Sequence, residues 1–353
     1  MQKKQKFQEN EKVKSVAFLK SLALLRAKAW QLLIISYFTT LVTVTLGTNS
    51  TNAQITSDVT LGNESSKVTS QEAIDTINGG AARGANLFHS FSEFNVGEGR
   101  SAYFANPSGI ENIITRVTGA NSSNILGTLG IKGGNANLFL LNPNGIVFGV
   151  NARLDISGSF IGSTASTLEF ADGKKFSTTA SQTNPLLTVS VPIGLGFGSN
   201  PGSIRVQGNG QGIRQTPDII DTTLGLRVQP ERTLALIGGN LELEGATLKT
   251  AGGRIELGSV ADDGSVKLNS DKKGFSLSYQ KVPTFGEIRM SQQAAVDASG
   301  VIGGDIQVWG RQLLLTGELS KAHVNKRVGC SVSANTAPVN LCLEHQYTSQ
   351  LLN

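Results

Sequence analysis

From Gln54 onward, apolar and polar residues alternate with a period of two, and one short word keeps returning. It reads Gly-x-(Ile/Val)-x-(Val/Leu/Met) and occurs as GSIRV at Gly202, GRIEL at Gly253, GSVKL at Gly264, GEIRM at Gly286 and GDIQV at Gly304. Each copy puts two apolar side chains on one face of a strand and a polar one between them. The middle residues Arg205, Glu256, Lys267, Arg289 and Gln307 are therefore expected to face solvent. Val266 and Ile288 lie 22 residues apart, and Ile288 and Ile306 lie 18 apart. Such spacing suits the coils of a parallel β-helix, where each rung adds short strands to stacked sheets. Between Arg232 and Val260 the text RTLALIGGNLELEGATLKTAGGRIELGSV reads as strand, corner, strand, corner. The Gly pairs at Gly238 and Gly252 are expected to supply positive φ at those corners. A β-sandwich also has short strands, but close repetition of one word is the mark of a solenoid.

One stretch is patterned differently. The sixteen residues Gly134 to Gly149 contain no charge, no Cys, no His and no Ser or Thr. Asn137 to Leu141 is almost continuously apolar, as expected of a strand buried on both faces. Asn142-Pro143-Asn144-Gly145 then has the composition of a turn, with Pro pre-set for the second position and Asn-Gly able to enter left-handed conformations. Ile146-Val147-Phe148 resumes as a strand.

Composition agrees with many short strands and turns: 41 Gly stand against 6% aromatic residues. The formal charge of +5 is uneven. Residues 1–53 hold Lys3, Lys4, Lys6, Lys12, Lys14, Lys20, Arg26 and Lys28 against Glu9 and Glu11, a net +6 that leaves −1 for the remainder. A folded part without clustered Lys and Arg argues against nucleic-acid binding. The leader has the order of an export signal: a basic region to Lys28, the apolar run from Trp30 to Leu46, and Thr51-Asn52-Ala53 before Gln54. That run, interrupted by Gln31, Ser36 and four Thr, is short and polar for a membrane span, which needs ~20 apolar residues. Residues 1–53 are thus expected to be an extended signal peptide, with the mature chain starting at Gln54.

Candidate chemistry is sparse. Asp218 with Asp221 and Asp262 with Asp263 could serve a carbohydrate-cleaving β-helix, but paired acids at corners are ordinary turn chemistry. His89 lies between aromatics in NLFHSF and reads as a packing residue, while His323 and His345 fall in the tail. GNGQG at Gly208 lacks the context of a phosphate-binding loop. The sequons at Asn49, Asn63 and Asn121 are too short a pattern to carry weight. Cys330 and Cys342 have no zinc-site spacing. Neither an enzyme nor a metal or other cofactor site is expected. From about Glu318 the repeated word disappears and both cysteines enter, so residues 318–353 read as an atypical tail, frame-shifted or disordered.

Four segments in order carry a resemblance: GGAARGANLFHSFSEFNV at Gly79 to Val96, NPSGIENIITRVTG at Asn106 to Gly119, NPNGI at Asn142 to Ile146, and the long basic leader. Together they resemble the N-terminal secretion domain of the filamentous haemagglutinin family, the exoproteins of two-partner secretion, in its cyanobacterial-like branch. The resemblance implies an all-β, single-stranded right-handed parallel β-helix over residues 54–317 with an N-terminal β cap. It implies export by the general secretory translocase, then passage of the unfolded chain through an outer-membrane barrel transporter whose periplasmic domains recognise it. The protein would end up secreted or on the cell surface, with host or surface glycans as partners of the adhesin. Of the family's two recognition motifs, NPNGI is intact at Asn142, Pro143, Asn144, Gly145 and Ile146. The other, NPNL, has a partial counterpart from which Asn106 and Pro107 carry over. Asn86, Phe88 and Phe94 match the early capping region as packing residues. The alternative is a secreted polysaccharide-binding or polysaccharide-cleaving β-helix.

Overall fold

The computed structural model describes residues 55–179, 187–210, 225–298, 300 and 303–316, all within the compact unit that begins at Ala53. The leader, the cysteine-bearing tail, and Asp218 and Asp221 lie outside the described residues. Among those described there are 28 strands, one 3-10 turn at Gly62–Glu64 and no α-helix. No helix in this part is long and apolar enough to cross a membrane.

The chain visits three parallel sheets in turn. The first face stacks Asn86–Phe94, Asn112–Val117, Asn137–Leu141, Phe160–Ser163, Thr233–Gly238, Arg254–Ser259 and Asp305–Trp309, each parallel to the next. The second stacks Ser123–Ile125, Ile146–Phe148, Ile204–Gln207, Leu241–Glu244, Glu287–Ser291 and Gln312–Thr316. The third begins with Ile74–Gly79, Ser101–Ala105, Thr128–Lys132 and Arg153–Asp155, and continues in a separate sheet of Leu226–Arg227, Thr247–Lys249 and Ala295–Asp297.

Register shows how the alternation is used. Leu87, Ile113, Leu138, Phe160, Leu234, Ile255 and Ile306 are successive partners on the first face and point into the core enclosed by the three sheets. The residues one step along, Phe88, Ile114, Phe139, Ile161 and Ala235, point the other way and are also buried. They meet a second apolar layer. After Phe160–Ser163 and again after Arg254–Ser259 the chain leaves the coil, and the two excursions pair into one antiparallel sheet. Its order is Lys175–Ser177, Thr167–Phe170, Pro192–Phe197, Gly264–Asp271 and Gly274–Lys281. Leu168, Phe170, Phe176, Leu195, Val266, Phe275 and Leu277 from this sheet complete a second core against the first face. This is why Asn137–Leu141 carries no alternation.

The architecture departs from the expected single parallel solenoid in its outer sheet, which is antiparallel throughout. The start of the coil carries the expected β cap, closed by antiparallel pairs: Ile55–Ser57 and Ala81–Arg83 on Asn86–Phe94, and Ser66–Gln71 on Ile74–Gly79. The recurring word also proves not to mark one rung. GSVKL belongs to an outer hairpin, and Ile288 and Ile306 sit on different faces, so the spacings of 22 and 18 are not coil periods. The true period appears in a polar ladder at the start of the first face. Asn112 donates to Asn86 at 3.1 Å and Asn137 to Asn112 at 3.0 Å, over separations of 26 and 25 residues, and the Ser159 backbone N–H donates to Asn137 at 2.9 Å. Arg205, Lys267 and Arg289 face solvent as expected, but Glu256 is fully buried and Gln307 half-buried, because the outer hairpin covers them. Gly252 has φ +67°, whereas Gly238 is not in the left-handed region.

Two polar clusters bound the second core. At one end the Arg116 guanidinium is buried over the Phe176 ring, donates to Ser90 and Thr60 at 2.8 Å each, and bonds the Ser177 carbonyl. Asp58 completes this cluster by accepting from Ser90 at 2.8 Å and Thr118 at 2.6 Å. Burial works to raise the Asp58 carboxyl, but bonds from Thr118, Thr60 and Ser90 outweigh it and hold the group below its ordinary range. At the other end lies Glu256.

Candidate functional site

The NPNGI segment makes the corner between the first and second faces of one coil. Asn142 closes the strand Asn137–Leu141 and is wholly buried. Its side-chain oxygen accepts the Asn144 backbone N–H at 3.0 Å, and the Gly145 N–H donates to the Asn142 carbonyl at 3.1 Å, closing the turn that Asn-Pro-Asn-Gly predicts. Gly145 takes φ +122°, a conformation that L side chains rarely adopt. Ile146 then starts the strand Ile146–Phe148 and points into the inner core.

The corner is clamped from both sides. Toward the preceding coil, Asn142 Nδ2 donates to the Asn121 carbonyl at 3.0 Å and the Ser123 hydroxyl at 2.9 Å, and Asn144 Nδ2 donates to the Gly119 carbonyl at 2.7 Å. Toward the following coil, the Gly202 N–H donates to the Pro143 carbonyl at 2.8 Å and the Ile146 N–H to the Ser203 carbonyl at 3.1 Å. A Cβ on Gly202 would lie 2.4 Å from the Asn144 carbonyl carbon, so only glycine fits there. Of the five motif residues, Asn144 is exposed and Pro143 half-buried; the rest are buried. Sequence reasoning did not connect the residues that grip the motif, Gly119, Asn121, Ser123 and Gly202, with it: Gly202 read only as the opening of a repeated word and Asn121 only as a sequon.

Asn106 and Pro107 occupy a different corner, between the third and first faces of an earlier coil. Asn106 Nδ2 donates to the Gly133 carbonyl at 3.1 Å, and the Ile110 N–H to the Pro107 carbonyl at 3.3 Å. Pro107, Ser108 and Gly109 are exposed. The fold therefore does not gather the two motifs into one corner: one is an open loop, the other a clamped turn.

The remaining candidates read as structural. His89 is buried against Phe91 and Phe104, with Nδ1 2.9 Å from the Ser66 hydroxyl, and burial pushes it down to about 3. It stays neutral at ordinary pH. Phe88, Phe94 and Asn86 are buried in the capping region, as expected. Asp262 and Asp263 are exposed turn residues, with the Asp263 N–H on Asp262 at 2.9 Å. Among the described residues no group of three or more His, Cys, Asp or Glu could hold a metal ion.

Against this geometry, residues 53–308 match the family profile of the TPS secretion domain. The chain belongs to that family. The TPS secretion domain is the secretion domain of haemagglutinin-type exoproteins, so the function it carries is secretion. Its fold is similar to the HMW1 secretion domain from Haemophilus influenzae, with a TM-score of 0.50 at 18% identity over 80% of this chain and 62% of that one. The chain thus spans about three fifths of that relative. A filamentous hemagglutinin secretion domain aligns at a TM-score of 0.37 and 14% identity over 80% of this chain and 99% of the other. Among curated protein sequences none matches this TPS secretion domain.

Proposed function

We propose that residues 54–317 are recognised by the periplasmic domains of an outer-membrane barrel transporter and fold, after passage, as a right-handed parallel β-helix at the cell surface or in the medium. Residues 1–53 direct the chain to the general secretory translocase and are removed, and residues 318–353 stand apart from the secretion domain. The observation that carries this reading is membership of the TPS secretion domain family together with the intact NPNGI corner. The absence of Cys from Gln54 to Gly317 supports it, because a chain free of disulfides can cross a narrow barrel extended.

The accessibility of the motif refines how it acts. Asn142, Gly145 and Ile146 are buried in the folded domain, so a transporter meets them only while the coil is open. In the folded domain the exposed Asn144 and the loop of Pro107, Ser108 and Gly109 remain available. The test is co-expression with a barrel transporter, measuring protein in the medium beside circular dichroism of the refolded variants. Asn144→Ala and Asn142→Ala are both expected to lower secretion, Asn142→Ala with a loss of folded stability as well. Normal secretion of both variants would leave the motif a plain corner.

A further inference from the structure

The outer hairpin formed by Gly264–Asp271 and Gly274–Lys281 has one free edge, and side chains of the first face satisfy it. The Thr233 hydroxyl accepts the Phe275 N–H at 3.0 Å and donates to the Lys273 carbonyl at 2.9 Å. Glu256 Oε1 accepts the Leu277 N–H at 3.3 Å. The Gln307 amide, with its nitrogen toward the carboxyl, lies 3.2 and 3.1 Å from the two Glu256 oxygens and receives the Trp309 indole N–H. Beside them the buried Tyr279 hydroxyl has no hydrogen-bond partner among the described residues, and the Tyr279 ring stacks on Trp309 at 5.2 Å.

The charges in this seam do not balance around Glu256. Its own strand supplies Arg254, whose Nε is 3.8 Å away, but that guanidinium also binds Asp271 of the hairpin and, at 3.3 Å, Asp305 of the last first-face strand. Lys273 joins Asp305 at 3.6 Å. Two cations therefore face three carboxyls, and Glu256 is the only one of the three shut off from water. An ionised, underpaired carboxylate in such a seam is costly, whereas the neutral acid still accepts the Leu277 N–H.

We propose that the hairpin is a proton-operated latch: it seats on Glu256 in its neutral form and loosens as that carboxyl ionises. Burial, only partly offset by Arg254, pushes Glu256 up to about 8, so the seated form keeps its proton through neutral pH while the released form ionises near the ordinary 4.5. The sign follows from linkage. Seating is strongest below 4.5, weakens as pH rises, and levels off above about 8. A released hairpin would bare Phe275, Leu277 and Tyr279 together with Glu256.

Hydrogen exchange of the full chain tests this, read at the amides of Gly274–Lys281 and corrected for intrinsic rates, from about pH 5 to about pH 9. One coupled proton predicts that local opening rises about tenfold per pH unit and then flattens near 8. Glu256→Gln, which keeps the acceptor but cannot ionise, is expected to abolish the slope, and Glu256→Leu to do the same with a higher baseline. A flat wild-type profile, or an unchanged slope in Glu256→Gln, would overturn the latch. So would failure of both variants to fold, because a neutral group at this position is what the proposal requires.

Discussion

The two ends of the second core bury charge in opposite ways. At the Arg116 end every partner is in place: three hydrogen-bond acceptors, an aromatic face, and Asp58 held ionised by three hydroxyls. At the Glu256 end the carboxyl shares its one nearby guanidinium with two other acids. Both side chains point outward from the same sheet, Glu256 in the register position of Ile114 and Arg116 two residues further along, and different parts of the outer layer cover them. A buried charge with a complete set of partners is a permanent fixture, and one with a partial set is conditional on pH.

Removing Arg116 should break the comparison most severely. Arg116→Met leaves the Ser177 carbonyl and the Ser90 and Thr60 hydroxyls without their charged donor and is expected to cost about 3–5 kcal/mol, as loss of several hydrogen bonds from one buried charge implies, measured by urea unfolding. A loss under about 1 kcal/mol would show that the two ends are alike. Asn142→Ala removes an internal staple of the same permanent kind and should cost about 2–3 kcal/mol, since it strands the Asn121 carbonyl and the Asn144 N–H. The exposed Asn144→Ala should cost about 1 kcal/mol or less.

A pH profile separates the conditional groups. His89 stays neutral when folded, so its contribution is intact above the ordinary 6.5 and is lost as pH falls toward about 3. Glu256 works the other way, with a contribution intact below 4.5 and lost as pH rises through about 8. The two windows overlap between 4.5 and 6.5, where their slopes oppose, so stability should be highest and nearly flat there, and His89→Gln should flatten only the acid limb. The smallest effect, none near pH 5, is expected from Glu256→Gln, whose advantage over the wild type then grows by about 1.4 kcal/mol for each pH unit toward 8.

Much of the corner chemistry was legible beforehand. The turn at Asn142 to Gly145, the doubly buried strand before it and the packed role of His89 all follow from local composition. What alternation could not convey was which layer a strand belongs to. The word at Gly264 has the same inside and outside pattern as the words at Gly202 and Gly253, yet its partner is an antiparallel strand of an earlier excursion. Glu256 looked solvated for the same reason, because the hairpin that buries it lies further along the chain. The coil period was present in the text but in another word. Ala85-Asn86-Leu87-Phe88 and Ala136-Asn137-Leu138-Phe139 are the same four residues, two coils apart, and their Asn side chains belong to one ladder. Arg116 gave no such sign, since a basic residue in an apolar strand reads as a solvent-facing position.

The outer sheet also sets a timetable. Pro192–Phe197 takes one neighbour, Thr167–Phe170, from its own excursion, but its other neighbour is Gly264–Asp271, which lies beyond two further visits to the first face. For a chain emerging amino end first, that edge of Pro192–Phe197 stands open while the strands from Ile204 to Ser259 are laid down. During this interval it can recruit a strand from another molecule as readily as its own. A transporter that stalled before Gly264 had emerged would therefore leave on the surface a domain whose coils had formed but whose adhesive edge was still bare.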